Sequence, residues 1–190
     1  MLRRLHVQGF KSLHDVEVEF APLTVLFGPN AGGKSNLLDA LQVVPRLVTL
    51  RTGEDTLLKP IRGLPIECFA FPKGGVAELL GQESAQFSLE IDLKLNEGLQ
   101  PNRLRYRVTV GIQPRSGGLA LAESRLGELD GSGKLAWYVA DVPIKSSAFK
   151  AFSNELLGFR SYYLDPRVAM RTIASPAHVD DIGPSGELLA

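Results

Sequence analysis

The 190-residue chain has a single cysteine, Cys68, no excess of charge of either sign, and no apolar stretch near the length of a membrane span. A lone cysteine excludes an intramolecular disulfide and a multi-cysteine zinc site, and the default home of such a chain is the cytoplasm. A bilayer takes about 20 consecutive apolar residues in a helix, so no transmembrane helix is expected. Lys and Arg number 21, as do Asp and Glu, so no global positive field collects polyanions. Low hydrophobicity is also missing: 44% of residues are hydrophobic, which excludes disorder as a description of the whole. That is enough apolar material for the core of one ordinary domain. The opening MLRRLHVQGFKSLHDVEVEF is basic but has no apolar h-region and no small-residue cleavage site, so it reads as strand, not signal peptide. His6, His14 and His178 have no metal-ligand spacing, and no G-x-S-x-G elbow occurs.

What is present is patterning. Leu5 and Val7 alternate with His6 and Gln8, and Val16, Val18 and Phe20 alternate with Glu17 and Glu19, which predicts two half-buried strands. The run Leu23 to Phe27 (LTVLF) is almost uninterrupted apolar, which predicts a central strand buried on both faces. A loop of small residues follows, then SNLLDALQVV, with Leu37, Leu38, Leu41 and Val44 at helical spacing and Asn36, Asp39 and Gln42 opposite. Pro45 should end or kink that helix. The stretch 51–84 has no sustained period and reads as a loop-rich insertion with a short helix around Ala77 to Leu80. From Gln86, four alternating runs joined by turn residues predict an antiparallel meander with one wet face. Arg103, Arg105 and Arg107 share that face. They read either as a solvated ladder paired with Glu90 and Asp92 or as a nucleic-acid patch. Cys68 reads as a buried small residue, and Trp137 and tyrosines 106, 138, 162 and 163 as sheet packing. Ser147 to Leu157 predicts a short helix, followed by a strand-like RSYYLDP. The final GPSGELLA opens a helix pattern with no stop signal, as a cut domain would.

Chemistry concentrates in GPNAGGKS, Gly28 to Ser35, which fits G-x-x-x-x-G-K-[ST] (the Walker A form) at every fixed position. Gly28 and Gly33 permit backbone angles and close approaches that a side chain blocks. Successive loop N–H groups can then converge on phosphate oxygens, and a helix starting near Lys34 aims its N-terminal dipole at the same anion. Lys34 is expected on the β- and γ-phosphates, and the Ser35 hydroxyl on Mg²⁺. The motif lies between a buried-strand pattern and an amphipathic helix, as this mechanism demands. The residues therefore point to nucleotide phosphate binding.

The first 42 residues, through SNLLDALQ, resemble the N-terminus of SMC/RecF-type ATPases, including the OLD-like AAA-family ATPases of bacteria. The likeness rests on the GFKSL turn between the first two strands, the asparagine in GPN and the SNLLDAL helix start. It implies an α/β P-loop NTPase of the ABC/SMC-head type, with a mixed sheet around the P-loop helix plus the antiparallel meander. By that resemblance the chain is an incomplete domain, the N-terminal lobe of such a head. Its parts are 1–50 (strands, loop and first helix), 51–84 (insertion), 85–141 (meander) and 142–190 (helix and strand, cut before a second lobe). The resemblance places Asn30, Ala31, Gly32, Gly33, Lys34, Ser35 and Asn36 around ATP, and Lys11 and Ser12 near its phosphates or base. For Lys11 a plain surface turn lysine is the other reading. Members of the family pair head to head in homodimers around ATP, often with DNA or a nuclease as partner.

Two elements of a complete ATPase are not found in the sequence. No four-residue apolar run ends in Asp-Glu; the nearest candidate, Asp165 in YYLDP, is followed by proline and reads as a turn. No Ser-Gly-Gly-type signature is evident, GPSGEL having only a similar composition, and Gln82, Gln86, Gln100 and Gln113 cannot be told apart as the Q-loop residue. The expectation is an ATP-binding part of a longer ATPase, inactive alone. A nucleotide-dependent binding or regulatory module without hydrolysis is the alternative. A small-molecule kinase or GTPase is disfavoured by the long meander and by the lack of N-K-x-D.

Overall fold

Period-two alternation becomes sheet wherever a strand finds a hydrogen-bonding neighbour and one covered face. A computed structural model describes residues 1–49, 63–95, 102–140 and 147–159 of the chain. Six strands appear there: β1 (Leu2–Phe10), β2 (Leu13–Glu19), β3 (Ala85–Lys94), β4 (Arg103–Gln113), β5 (Gly118–Leu129) and β6 (Leu135–Ala140). They form one sheet in the order β2-β1-β3-β4-β5-β6, and every neighbouring pair is antiparallel. The N-terminal hairpin and the meander, predicted as separate pieces, are therefore continuous through the β1–β3 pairing, with Val7 opposite Leu89. The parallel pairings of a mixed sheet are not made among the described residues. Met1–Leu157 form one compact unit; of the second, Gly158–Ala190, only the first two residues are described.

One face of this sheet is core. Leu5, Val7, Leu89, Ile91, Leu104, Val108 and Val110 are all buried on it. Phe87 sits between the rings of Phe10 and Phe69, at centroid distances of 5.1 and 5.2 Å, tying β1, β3 and the 63–72 segment together. Tyr106 meets Phe152 at 5.2 Å, and its hydroxyl shares a 3.0 Å hydrogen bond with Ser124, which satisfies the buried phenol. Cys68 is buried, as expected, and burial pushes its thiol up to about 11. Gly9 has to be glycine. Its φ is +72°, and a Cβ there would lie 2.8 Å from the Gln86 carbonyl oxygen on the adjacent strand.

Among the described residues three α-helices accompany the sheet: α1 (Lys34–Thr49), α2 (Gly75–Gly81) and α3 (Ser147–Leu157). The predicted short helix in the insertion is α2, and a 3₁₀ turn at Pro65–Cys68 precedes it. Two expectations about α1 are corrected. The helix runs through Pro45 to Thr49. The missing N–H is offset by a face that buries Val43, Val44, Leu47 and Val48 on both sides of the proline. That face is also rotated from the one predicted: Ala40 and Val43 are buried, Leu38 is half exposed, and Asp39 lies inside.

A larger correction concerns Leu23 to Phe27. The segment is not a strand; Leu23 is 82%, Val25 71% and Phe27 91% exposed. A doubly buried strand needs hydrogen-bonding neighbours on both edges and cover on both faces, and among the described residues nothing pairs with it. No helix among the described residues is long and apolar enough to cross a membrane.

Candidate phosphate-binding site

The loop between Phe27 and α1 carries the backbone that its glycines were expected to allow. Gly28 has φ +147° and Gly33 +83°, while Ala31 takes φ +64°, unusual for a residue with a side chain. The Gly32 N–H donates to the Pro29 carbonyl at 3.2 Å, closing a tight turn, and the Leu37 N–H donates to the Gly33 carbonyl at 2.9 Å, starting α1. A Cβ on Gly33 would come within 3.3 Å of Leu13 Cδ2 and 3.4 Å of Ser12 Oγ. Loop and β1–β2 turn therefore pack too closely there for a side chain to enter freely.

Lys34 folds back over this loop. Its Nζ donates to the carbonyls of Gly28 at 2.8 Å and Pro29 at 2.6 Å. Both are neutral acceptors, so the ammonium keeps its whole charge at the loop mouth. All residues from Ala21 to Gly32, together with Ser35, are exposed, so Asn30, Ala31, Gly32 and the Ser35 hydroxyl face solvent. A triphosphate tail fits such a site by its chemistry: main-chain donors, a helix N-terminus and an ammonium held only by carbonyls. A magnesium ion fits as well, because it usually keeps several waters and takes one or two protein oxygens plus phosphate oxygens. No cluster of three or more metal-ligating side chains exists among the described residues, so such an ion would depend on phosphate and Ser35.

The β1–β2 turn is tied to α1 by two side-chain contacts. Asn36 Nδ2 donates to Ser12 Oγ at 2.8 Å, and Lys11 Nζ donates to Asp39 Oδ2 at 2.6 Å. Lys11 is therefore not the free surface lysine of one sequence reading. Its side chain is 11% exposed and that of Asp39 5%, and its backbone takes the left-handed φ of +49°. The structure thus brings Lys11, Ser12, Gly33 and Asn36 together beside the loop, with the Lys11 ammonium turned to Asp39. Asp39 was missed by sequence reasoning, which put it on the polar face of α1. The available signal was a lysine in a tight turn with an acid about one helical turn inside α1.

Arg105 grips Asp92 through Nε at 2.6 Å and Nη2 at 2.7 Å, and Arg107 Nη1 lies 3.7 Å from Glu90, as the paired-ladder reading has it. His6 shares a 2.5 Å hydrogen bond with Asp15, which holds that carboxyl below its usual range. Asp165, Tyr162, Tyr163, His178, Gln100 and GPSGELLA lie outside the described residues, as does the packing of Trp137 and Tyr138.

Known proteins resemble the chain over this region. The AAA domain family matches residues 4–109, more than half of the chain, from β1 into β4. DNA replication and repair protein RecF of Synechocystis sp. is 36% identical over 94 residues, covering 49% of this chain and 22% of that protein. RecF of Acaryochloris marina is 36% identical over 97 residues, 50% of this chain and 24% of that protein. OLD nuclease of Thermus scotoductus is 38% identical over 60 residues, 29% of this chain and 11% of that protein. The chain thus spans about a quarter or less of the length of these relatives.

Proposed function

The chain belongs to the AAA domain family, and from that premise we propose that it binds ATP with Mg²⁺ as the N-terminal part of an SMC/RecF/OLD-like ATPase. In this reading the amides from Asn30 to Gly33 cradle the phosphates, Lys34 turns from its two carbonyls to the β- and γ-phosphates, and Ser35 holds the metal. Asn36, Lys11 and Ser12 line the same site from α1 and the β1–β2 turn. Mg²⁺, when bound, neutralises charge on the phosphate oxygens. The observation that carries the proposal is the posture of Lys34. A full positive charge rests at 2.6 and 2.8 Å on neutral carbonyls at an exposed helix N-terminus, so an anion can take it without breaking an ion pair.

Hydrolysis requires an apolar strand ending in Asp-Glu to position the attacking water, and no such run occurs in the 190 residues. In this reading the chain alone binds nucleotide poorly and hydrolyses it slowly or not at all, and the alternative of a nucleotide-dependent regulatory module likewise needs no turnover. In a longer protein, two such heads would face each other around ATP. The names of the relatives, a DNA replication and repair protein and a nuclease, support DNA or a nuclease as partner, and a cytoplasmic setting belongs to the same reading. Calorimetry tests the site. Lys34→Ala should abolish ATP binding while circular dichroism and melting stay unchanged, and neither protein should release phosphate from ATP. Equal affinity of variant and parent would reject the assignment.

A further inference from the structure

The β1–β2 turn meets α1 and the phosphate loop at neighbouring points. Lys11 Nζ donates to Asp39 Oδ2 at 2.6 Å, and Asn36 Nδ2 donates to Ser12 Oγ at 2.8 Å. Asn36 and Asp39 stand one above the other on the same side of α1, and adjacent turn residues clasp both. The next point is Gly33, where a Cβ would press on Leu13 and Ser12. The turn is also fixed from its other side. The Lys11 N–H donates to the Cys68 carbonyl at 2.9 Å, and the Ala70 N–H to that of Gly9 at 2.8 Å. Lys11 sits at φ +49°, a left-handed conformation that residues with a side chain adopt at a cost. Such backbone persists where its surroundings over-determine it, and here the main-chain bonds and the Asp39 pair do so.

The two lysines of this region are held differently. The Lys11–Asp39 pair is nearly closed to water, so drawing that ammonium off toward a phosphate would take a cation away from a buried carboxylate. Lys34 rests on the neutral carbonyls of Gly28 and Pro29 and leaves them without that penalty.

We propose that Asp39 is a positioning residue for the phosphate loop: through Lys11 it holds Ser12 against Gly33 and Asn36, and the Lys11 ammonium stays on Asp39 when nucleotide binds. The proposal rests on the ATP reading above and divides the work between the two lysines. Lys34 supplies charge to the phosphates, and Lys11 fixes the shape of the backbone that the loop and α1 present to them. Asp39 then acts on ATP binding with a sign opposite to the one its charge predicts. By electrostatics alone, removing a carboxylate beside an anion site favours the anion. Removing a carboxylate that braces the loop weakens binding instead.

The test is calorimetric titration of the full chain with ATP and Mg²⁺, and separately with inorganic tripolyphosphate, well below the melting temperature of each variant. Asp39→Asn should weaken both ligands about tenfold, the scale on which groups behind a ligating residue act. Lys11→Met should weaken them similarly, and Lys11→Arg, which keeps a cation for Asp39, should recover most of that loss. The double variant Lys11→Met with Asp39→Asn should lose no more than either change alone, as members of one unit do. Unchanged or tighter binding by Asp39→Asn, in a chain whose parent binds ATP, would overturn the proposal and leave the ATP reading standing. No binding of ATP by the parent would overturn both. A second measurement needs no variant to fold in place of the parent. In the isotope-labelled parent, the side-chain ε-methylene resonance of Lys11 should hold its position when ATP is added, while that of Lys34 shifts. A shift of Lys11 as large as that of Lys34 would also overturn the proposal.

Discussion

The six-stranded sheet and the Ala21–Gly32 segment are both written in apolar residues, yet they end up in opposite states. In the sheet, Leu89, Ile91, Val108 and Val110 are buried to within about 1%, and each strand interior makes its main-chain bonds to a neighbour. In the segment before the phosphate loop, Leu23, Val25 and Phe27 stand in solvent. The difference lies in partners. An alternating strand needs one covered face, which α1, α3 and the 63–72 segment provide. A continuous apolar strand needs two covered faces and two paired edges, and the described residues supply none of them. Local hydrophobicity therefore states how much burial a segment can use, while the neighbours decide whether burial happens.

Three substitutions would break or sharpen that contrast. Phe87→Ala removes the ring between Phe10 and Phe69 and should cost about 3 to 5 kcal/mol in chemical denaturation. A loss under 1 kcal/mol would mean that the aromatic cluster is not holding β1 to β3. Lys11→Met leaves the Asp39 carboxylate, 5% exposed, without its ammonium and should cost about 3 kcal/mol. Asp39→Asn in the same chain should restore part of that loss, and a lack of recovery in the double variant would count against the pair. Phe27→Ser should change stability by no more than about 0.5 kcal/mol, because the ring is 91% exposed. A larger destabilisation would show that the segment is buried after all and would remove the contrast itself.

How far the sequence could be read differed with the range of the forces involved. The strands of the meander were legible because alternation is a local property, and the Asp130 turn because its carboxylate accepts from Ser132 and Lys134 within the same few residues. The backbone of the Gly28–Ser35 loop was legible for the same reason: glycine at Gly28 and Gly33, the lysine and the helix start all lie within one short stretch. The α1 face was misread by a fraction of a turn because Leu38 and Asp39 look like core and solvent by type. A lysine from the β1–β2 turn reverses the sign for Asp39. Pro45 misled for a similar reason, since its cost is local and the compensating burial of Val43 to Val48 comes from the rest of the molecule.

By itself the sequence determined which segments alternate, where the glycine loop Gly28–Ser35 lies and which side chain carries its charge, because each depends on residues close along the chain. Only the tertiary structure decided that hairpin and meander share one sheet, that Asp39 is inside with Lys11, and that Leu23 to Phe27 goes uncovered among the described residues. Those outcomes rest on contacts between residues far apart in sequence, whose free energy exists only once the chain has closed the distance between them.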